Sequence, residues 1–430
     1  MNSPSEFEDV REKGFYRKVN VYQALKLFLK NVPLLDWEEV DFFNALNRVC
    51  YEDVYSKRDV PHFDRSAVDG YAVIAEDTYS ASTSNPIIFR VIDSIEIGEQ
   101  KDVAIESGEA VRVSTGSPLP KNANAVVMIE YTSQIDESTI EVYSSVPPFK
   151  NVSRAGEDIR KGEVVVKRGE IIQPHHIGLL SASGNLRIKV FRRAKIAIVS
   201  TGNELVEPYD DIKGAQIVDT NRYMLMGRIK QLNAIAMDFG IVRDDEKELT
   251  DVFEKALSSA DIIIFSGGTS VGSKDLVPQI VNRYRDGVFV HGLSIKPGMP
   301  AGFTTCRGKP VILLPGFPVA NYLAFNLIVP PVLMKMYGID AKKMIPPGSV
   351  IKAYAGRRIP SSAGIRTLTR VYLEEVDGRI FAYPLRTSGS GIISSLCKAD
   401  GIIEVPEEVE GYEAGEEVEV ILINYFRRSF

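Results

Sequence analysis

Between residues 195 and 336 the chain repeats one rhythm, and no other feature narrows its fold as far. An apolar run leads into a glycine-bearing loop and then into a stretch with helical spacing. The runs are KIAIVSTG (195–202), AIAMDFGIV (234–242), DIIIFSGG (261–268) and GKPVILLPG (308–316). Between and after them lie DTNRYMLMGRIKQL (219–232), DDEKELTDVFEKALSSA (244–260) and PVANYLAFNLIVPPVLMKMYG (318–338). Strands alternating with helices of this length imply a parallel α/β sheet. Their near-continuous apolar character fits strands buried on both faces. In such a sheet, ligands sit outside the carboxyl ends of the strands. Three loops there are unusual: STGNEL (200–205), SGGTSVGSKD (266–275) and LPGFPVAN (314–321).

The flanking sequence reads differently. Residues 22–31 and 37–50 carry apolar residues at helical spacing. From 86 to 146 the segments PIIFRVI, AVRVS, AVVMIEY and TIEVYS read as strands punctuated by turn residues. PPFKN (147–151) is a linker signal, and 151–190 combine short strands with a helix-like HHIGLLSAS. Beyond 345, TRVYLEEV and RIFAYPL flank Asp377–Gly378, a hairpin signal, and EEVEVILI alternates as a half-exposed strand. The expected architecture is multidomain α/β plus β. It comprises a discontinuous helical or linker domain (1–59 plus 148–190), an inserted β-rich domain (60–147), an α/β domain (191–340) and a C-terminal β-barrel-like domain (341–430).

Bulk properties exclude several classes. The 430 residues carry a formal net charge of −6, which argues against nucleic acid as the main partner. Three dispersed cysteines, Cys50, Cys306 and Cys397, make neither a disulfide framework nor a zinc pattern. The opening MNSPSEFEDVREKG does not read as a signal peptide. The longest apolar stretch, around 323–334, is broken by Asn326 and two prolines, so no membrane span is expected. The expectation is a cytoplasmic protein.

The 266–275 loop has the parts of an anion site. Gly267, Gly268 and Gly272 let backbone approach a ligand, and Thr269, Ser270 and Ser273 add hydroxyls. A helix beginning at 275 would add free N–H groups at its N-terminus. Ser273 or Asp275 could equally be a helix cap. A carboxylate beside a phosphate needs a cation between them, and Glu204 ends a neighbouring loop. Carboxylates with phosphate oxygens are how Mg²⁺ is usually held. The alternative is that Glu204 is a turn residue. Asp244 and Asp245 suit helix capping. Lys274 and Lys296 are candidate cations for an oxyanion, Lys296 sitting in the stiff SIKPGMP turn. VPHFDRSAVDGYAV (60–73), RVSTGSPLP (112–120) and AGEDIRKG (155–162) read from their residues alone as turns.

DVPHFDRSAVDGYAV, VRVSTGSPLPKNANAVV, RAGEDIRKGE, IVSTGNEL, IVDTNRYML, FSGGTSVGSKD, IKPGMP and LLPGFPVANYLAF occur in one order. That order resembles the molybdopterin molybdenumtransferases of the MoeA type, which include the gephyrin E domain. The resemblance covers roughly 20–425. It implies an elongated four-domain homodimer that inserts molybdate or tungstate into adenylylated molybdopterin, releases AMP and uses Mg²⁺. By resemblance, Glu204, Asp244 and Asp275 are acidic residues of the α/β site, with Asp275 and Glu204 holding the metal. Asp69, Thr115 and Asp158 come from other regions, Asp69 and Thr115 from the partner subunit. Lys274 and Lys296 match basic positions, and Pro315, Gly316 and Pro318 lie in the turn beside the pterin. The chain departs from the family's KPGKP and LPGNPVS at Met299, Phe317 and Ala320, losing a charge and a hydroxyl near the oxyanion. Each lost charge-assisted bond weakens oxyanion binding by roughly 1.5–3 kcal/mol. The resemblance also admits a molybdopterin adenylyltransferase as a partner. Two other readings suit a pterin-binding domain: nucleotidyl transfer to molybdopterin and a non-catalytic scaffold. The extra β domains argue against the first, and nothing here resembles a linker or second catalytic module of the kind scaffold assembly would use.

Overall fold

The computed structural model describes residues 19–268, 276–339, 349–385 and 389–423. The chain divides into two compact units, one of residues 39–190 and one formed by 19–38 with 191–423.

The larger unit contains the α/β sheet. Its strands are β1 (Lys195–Thr201), β2 (Ile235–Val242), β3 (Ile262–Ser266), β4 (Val290–His291), β5 (Gly302–Cys306) and β6 (Lys309–Leu314). They lie in the order β2-β1-β3-β6-β5-β4. β2, β1, β3 and β6 run parallel, and β5 is antiparallel to both neighbours. Four helices complete it: α1 (Asn221–Gln231), α2 (Glu246–Ser259), α3 (Leu276–Tyr284) and α4 (Pro318–Met336). Alternation along the strands separates the two faces. Ala197, Val199, Ile263, Phe265, Val311 and Leu313 pack with Leu249 and Phe253 of α2 and with Ile280 and Val281 of α3. α1 and α4 pack on the opposite side, α1 against β1 and β2 and α4 against β6. Helices on both faces explain why the central strands are apolar throughout. α4 has 19 residues and is long and apolar enough by composition to cross a membrane, a test that a buried core helix also passes. In this fold it is a core helix, with Val319, Leu323, Phe325, Ile328 and Val332 fully or almost fully buried.

Beyond α4 a second sheet closes on itself. Arg366–Val376, Arg379–Pro384, Val350–Ala355, Glu417–Leu422 and Gly401–Val405 pair in that circular order, and the last pairs with the first. Val418 and Val420 point into this five-stranded barrel with Ala353, Val371, Ala382 and Ile403. The alternation seen in EEVEVILI is this inside–outside pattern. The helix Val21–Phe28, grouped in the sequence with 148–190, packs instead in this larger unit. Val21, Ala24, Leu25 and Phe28 form its buried stripe, and the Phe28 ring lies 4.7 Å from that of Phe303. Tyr22 Oη donates to Glu404 Oε1 (2.7 Å) and Asn20 Nδ2 to Glu407 Oε1 (2.8 Å), pinning the helix to the barrel.

The smaller unit holds a six-stranded sheet, in the order Ala125–Met128, Gly70–Val73, Glu109–Val113, Ile87–Ile95, Thr139–Val142 and Thr132–Asp136. One face packs around Tyr71, Phe89 and Ile140, the other around Ala72, Ile95 and Val111. A further core joins Ala45, Cys50 and Val54 to Ile159, Val166, Leu180 and Val190 across the inserted sheet. The helix expected over 37–50 does not form. Trp37–Asp41 is a strand and Phe42–Ala45 one 3₁₀ turn, capped by the Asp41 side chain on Phe43 N–H. Pairing with Arg187–Phe191 overrides the helical spacing.

Candidate functional site

At the carboxyl ends of β1, β3 and β6 lies a cavity of about 720 Å³. β1 is the strand at which the sheet order reverses, with β2 on one side and β3 on the other, so the cavity occupies the topological switch point. Its wall takes Thr201 and Glu204 from the loop after β1, and Gly267 and Gly268 from the loop after β3. Pro315, Gly316, Phe317 and Pro318 come from the loop after β6. Asp219, Thr220 and Asn221 at the start of α1 complete one side, and Gly391 and Ile393, beyond the barrel strand Arg379–Pro384, close the other. The three loops singled out in the sequence therefore share one crevice.

Close approach explains the glycines. Gly267 has φ +94°, and a Cβ there would stand 2.5 Å from Thr201 O. Gly268 has φ +61°, with its missing Cβ 2.9 Å from Thr201 Cγ2. No side chain fits between these loops, so backbone itself forms the floor.

Beneath the floor is a polar knot. Asn221 Nδ2 donates to Ser266 Oγ (3.1 Å) and to Gly316 O (2.7 Å). Asn321 Nδ2 donates to Ser266 Oγ (2.9 Å) and to Pro315 O (2.9 Å). Asn321 is wholly buried. Two amides, one from α1 and one from α4, thus tie the β3 and β6 loops together. None of Ser266, Asn221 and Asn321 was singled out from the sequence. Each closes a strand or opens a helix inside a quoted motif, and that position was the available signal. Nearby, Arg222 is buried among Asp219 (Nε to Oδ2, 3.1 Å), Asp238 (2.8 Å) and Glu207. Burial alone would lower its pKa, but the bond to Glu207 and the fields of Asp238 and Asp219 outweigh it and hold the guanidinium above its ordinary value.

The acidic candidates separate. Glu204 is exposed, and both its carboxylate oxygens lie 2.8 Å from the position a Cβ on Gly202 would take, so the group folds over its own turn. Asp244 accepts from Thr201 Oγ1 (2.7 Å) rather than capping α2. Asp245 is the cap, accepting from Lys247 and Glu248 N–H. Lys296 is exposed on a short strand beside Arg366–Thr367 and does not line the cavity, although Pro300 does. Thr269, Ser270, Gly272, Ser273, Lys274 and Asp275 lie outside the described residues.

In the smaller unit, Asp69 and Thr115 meet although 46 residues separate them. Asp69 Oδ1 accepts from Thr115 N–H (2.7 Å) and from Thr115 Oγ1 (2.9 Å). The backbone N–H first, then the hydroxyl, hold the Asp69 carboxyl below its ordinary pKa. Asp158 is exposed, and its own N–H donates to Val60 O (3.1 Å). Asp64 and Asp59 serve the turn, accepting from Ala155 and Lys161 N–H.

Comparison with known proteins covers both units. The MoeA N-terminal region (domain I and II) matches residues 19–184, a probable molybdopterin binding domain 197–335, and the MoeA C-terminal region (domain IV) 352–423. A molybdopterin biosynthesis protein of Methanocaldococcus jannaschii is 42% identical over 395 residues, spanning 90% of this chain and 92% of that protein. The molybdopterin molybdenumtransferase of Haemophilus influenzae is 32% identical over 407 residues, spanning 94% and 98%. The crystal structure of the molybdopterin biosynthesis MoeA protein from Pyrococcus horikoshii OT3 matches with a TM-score of 0.83 at 35% identity, covering 94% of this chain and 100% of that one. With near-complete coverage in both directions, this chain belongs to the MoeA family of molybdopterin molybdenumtransferases.

Proposed function

We propose that this protein is a transferase of molybdenum cofactor biosynthesis that inserts molybdate or tungstate into adenylylated molybdopterin and releases AMP. The observation that carries the reading is the switch-point cavity with a bare-backbone floor and Glu204 on its wall, in a chain of the MoeA family. Gly267 and Gly268 admit a phosphate-bearing tail to the backbone. Water then cleaves the pyrophosphate link, leaving AMP and the pterin phosphate, and the two dithiolene sulfurs displace an oxygen of the oxyanion, which leaves as water with the two thiol protons.

A divalent cation suits the donor chemistry. Among the described residues no group of three or more His, Cys, Asp or Glu could hold a metal. Magnesium needs only one or two carboxylates when substrate phosphates supply further oxygens. Glu204, with Asp275, would hold it, and bound there it would neutralise charge developing on the phosphates. Thr201 orients Asp244 at the same rim. Lys296 and Lys274 are assigned to the oxyanion and the phosphates. Asp69 is assigned as base and, with Thr115, is supplied by the partner subunit of a homodimer. Asp158 belongs to the same set. A molybdopterin adenylyltransferase delivering the substrate and a cytoplasmic location complete the proposal.

AMP release from adenylylated molybdopterin on adding Mg²⁺ with molybdate, and separately with tungstate, tests the reading. Glu204→Gln should slow release by roughly ten- to a hundredfold, the value of one charge-assisted contact. Full turnover by that variant would remove Glu204 from the mechanism, and no AMP release by the wild type would overturn the function.

A further inference from the structure

Among the described residues lining the cavity, Phe317 is the most exposed large apolar side chain, at 65%, ahead of Ile217 at 59%. Exposed aromatic surface costs solvation free energy unless something covers it. Its backbone, in contrast, is held at every step. Pro315 O accepts from Asn321 Nδ2 (2.9 Å), Gly316 O from Asn221 Nδ2 (2.7 Å) and Phe317 O from Asn321 N–H (2.9 Å). Pro318 follows at the first position of α4. The ring lies beside Gly391, where a Cβ would stand 3.5 Å from Phe317 Cδ1. A rigid mount carrying an exposed aromatic is a preorganised contact surface.

The same turn is poorly equipped to take an anion. A helix N-terminus ordinarily offers free N–H groups to one. At α4 the N-cap is Phe317, without a side-chain cap bond, Pro318 has no N–H, and Val319 N–H donates to Ser390 O (2.9 Å). Two of the first N–H positions of α4 are thus withdrawn, and beside them the Phe317 ring presents a flat apolar face.

We propose that Phe317 is a specificity-determining residue whose ring stacks on a fused heteroaromatic ring of the substrate. This deepens the transferase reading and rests on it, because that substrate carries two such rings, the pterin and the adenine.

The test is isothermal titration calorimetry with three probes: AMP, 6-hydroxymethylpterin and, as a ring-free control, ribose 5-phosphate. Phe317→Ala should weaken one ring-bearing probe by roughly five- to a hundredfold, the range of one aromatic stack. Ribose 5-phosphate should be unaffected, and Phe317→Tyr should retain wild-type affinity. The weakened probe identifies which ring is stacked. In Phe317→Trp the indole fluorescence should be quenched by that same probe. Wild-type affinity of Phe317→Ala for both rings would overturn the proposal and leave the transferase reading standing, as would an equal loss for ring and ring-free probes. Wild-type protein that binds neither AMP nor the pterin would overturn the transferase reading itself.

Discussion

Replacing Gly267 by alanine tests the idea that bare backbone forms the cavity floor. Two costs add. The residue has φ +94°, a conformation that L side chains rarely adopt, and the left-handed region costs an L-residue roughly 1–2 kcal/mol. The new Cβ would also stand 2.5 Å from Thr201 O. That oxygen is backbone at the end of a central strand, and Gly267 N–H is itself tied to Leu314 O (3.0 Å) on the other side. Neither neighbour can swing away as a side-chain tip would, so relief requires strands to shift, at about 1–3 kcal/mol for overpacking. The expected destabilisation is about 2–5 kcal/mol. Gly214→Ala separates the two costs. Gly214 has φ +58° but nothing within 4 Å of its Cβ position, so it should lose only about 1–2 kcal/mol. Urea unfolding of both variants, followed by far-UV circular dichroism, reads the difference as displaced midpoints. Equal midpoints for the two variants would refute the argument that the floor is closed to side chains.

Two further outcomes follow from the smaller unit. Thr115→Val removes one of the two donors to Asp69 but keeps the backbone N–H, so the Asp69 carboxyl should titrate higher than in the wild type while remaining below 3.8; a carboxyl-carbon NMR titration unchanged by the substitution would contradict the hydroxyl bond. His176 Nδ1 accepts Gln173 N–H (3.0 Å) in a helix cap, and burial, then the charge of His175, lower its pKa from 6.5. The folded state therefore binds this proton less readily than the unfolded one. The cap's contribution is complete above pH 6.5 and is lost as pH falls through the lowered value. Thermal melts between pH 7 and 5 should show the loss, and His176→Gln should flatten it; identical pH profiles would reject the cap as its source.

Legibility tracked how local the determining force was. The β1, β3 and β6 strands are readable because burial on both faces demands unbroken apolar runs, each followed here by a glycine-bearing loop. Residues 37–50 were misread because their apolar spacing satisfies a helix equally well, and only a strand 150 residues away settles the matter. Asp244 and Asp245 look interchangeable in sequence. One caps α2 and its neighbour takes the Thr201 hydroxyl, because adjacent residues at a helix start point in different directions. The Asn221–Ser266–Asn321 knot was invisible for a related reason: its members are 45 and 55 residues apart, and nothing local marks a buried amide as a clamp.

The amino-acid order alone determined the α/β rhythm, the glycines at 267 and 268 and the family, since each is written in short stretches whose chemistry is complete in itself. Only the folded chain decided that three loops face one cavity, that Asp69 takes both donors of Thr115, and that Phe317 stands exposed on a clamped turn. Those facts depend on strand order and on hydrogen bonds between distant segments, and such contacts exist only once burial has drawn the segments together.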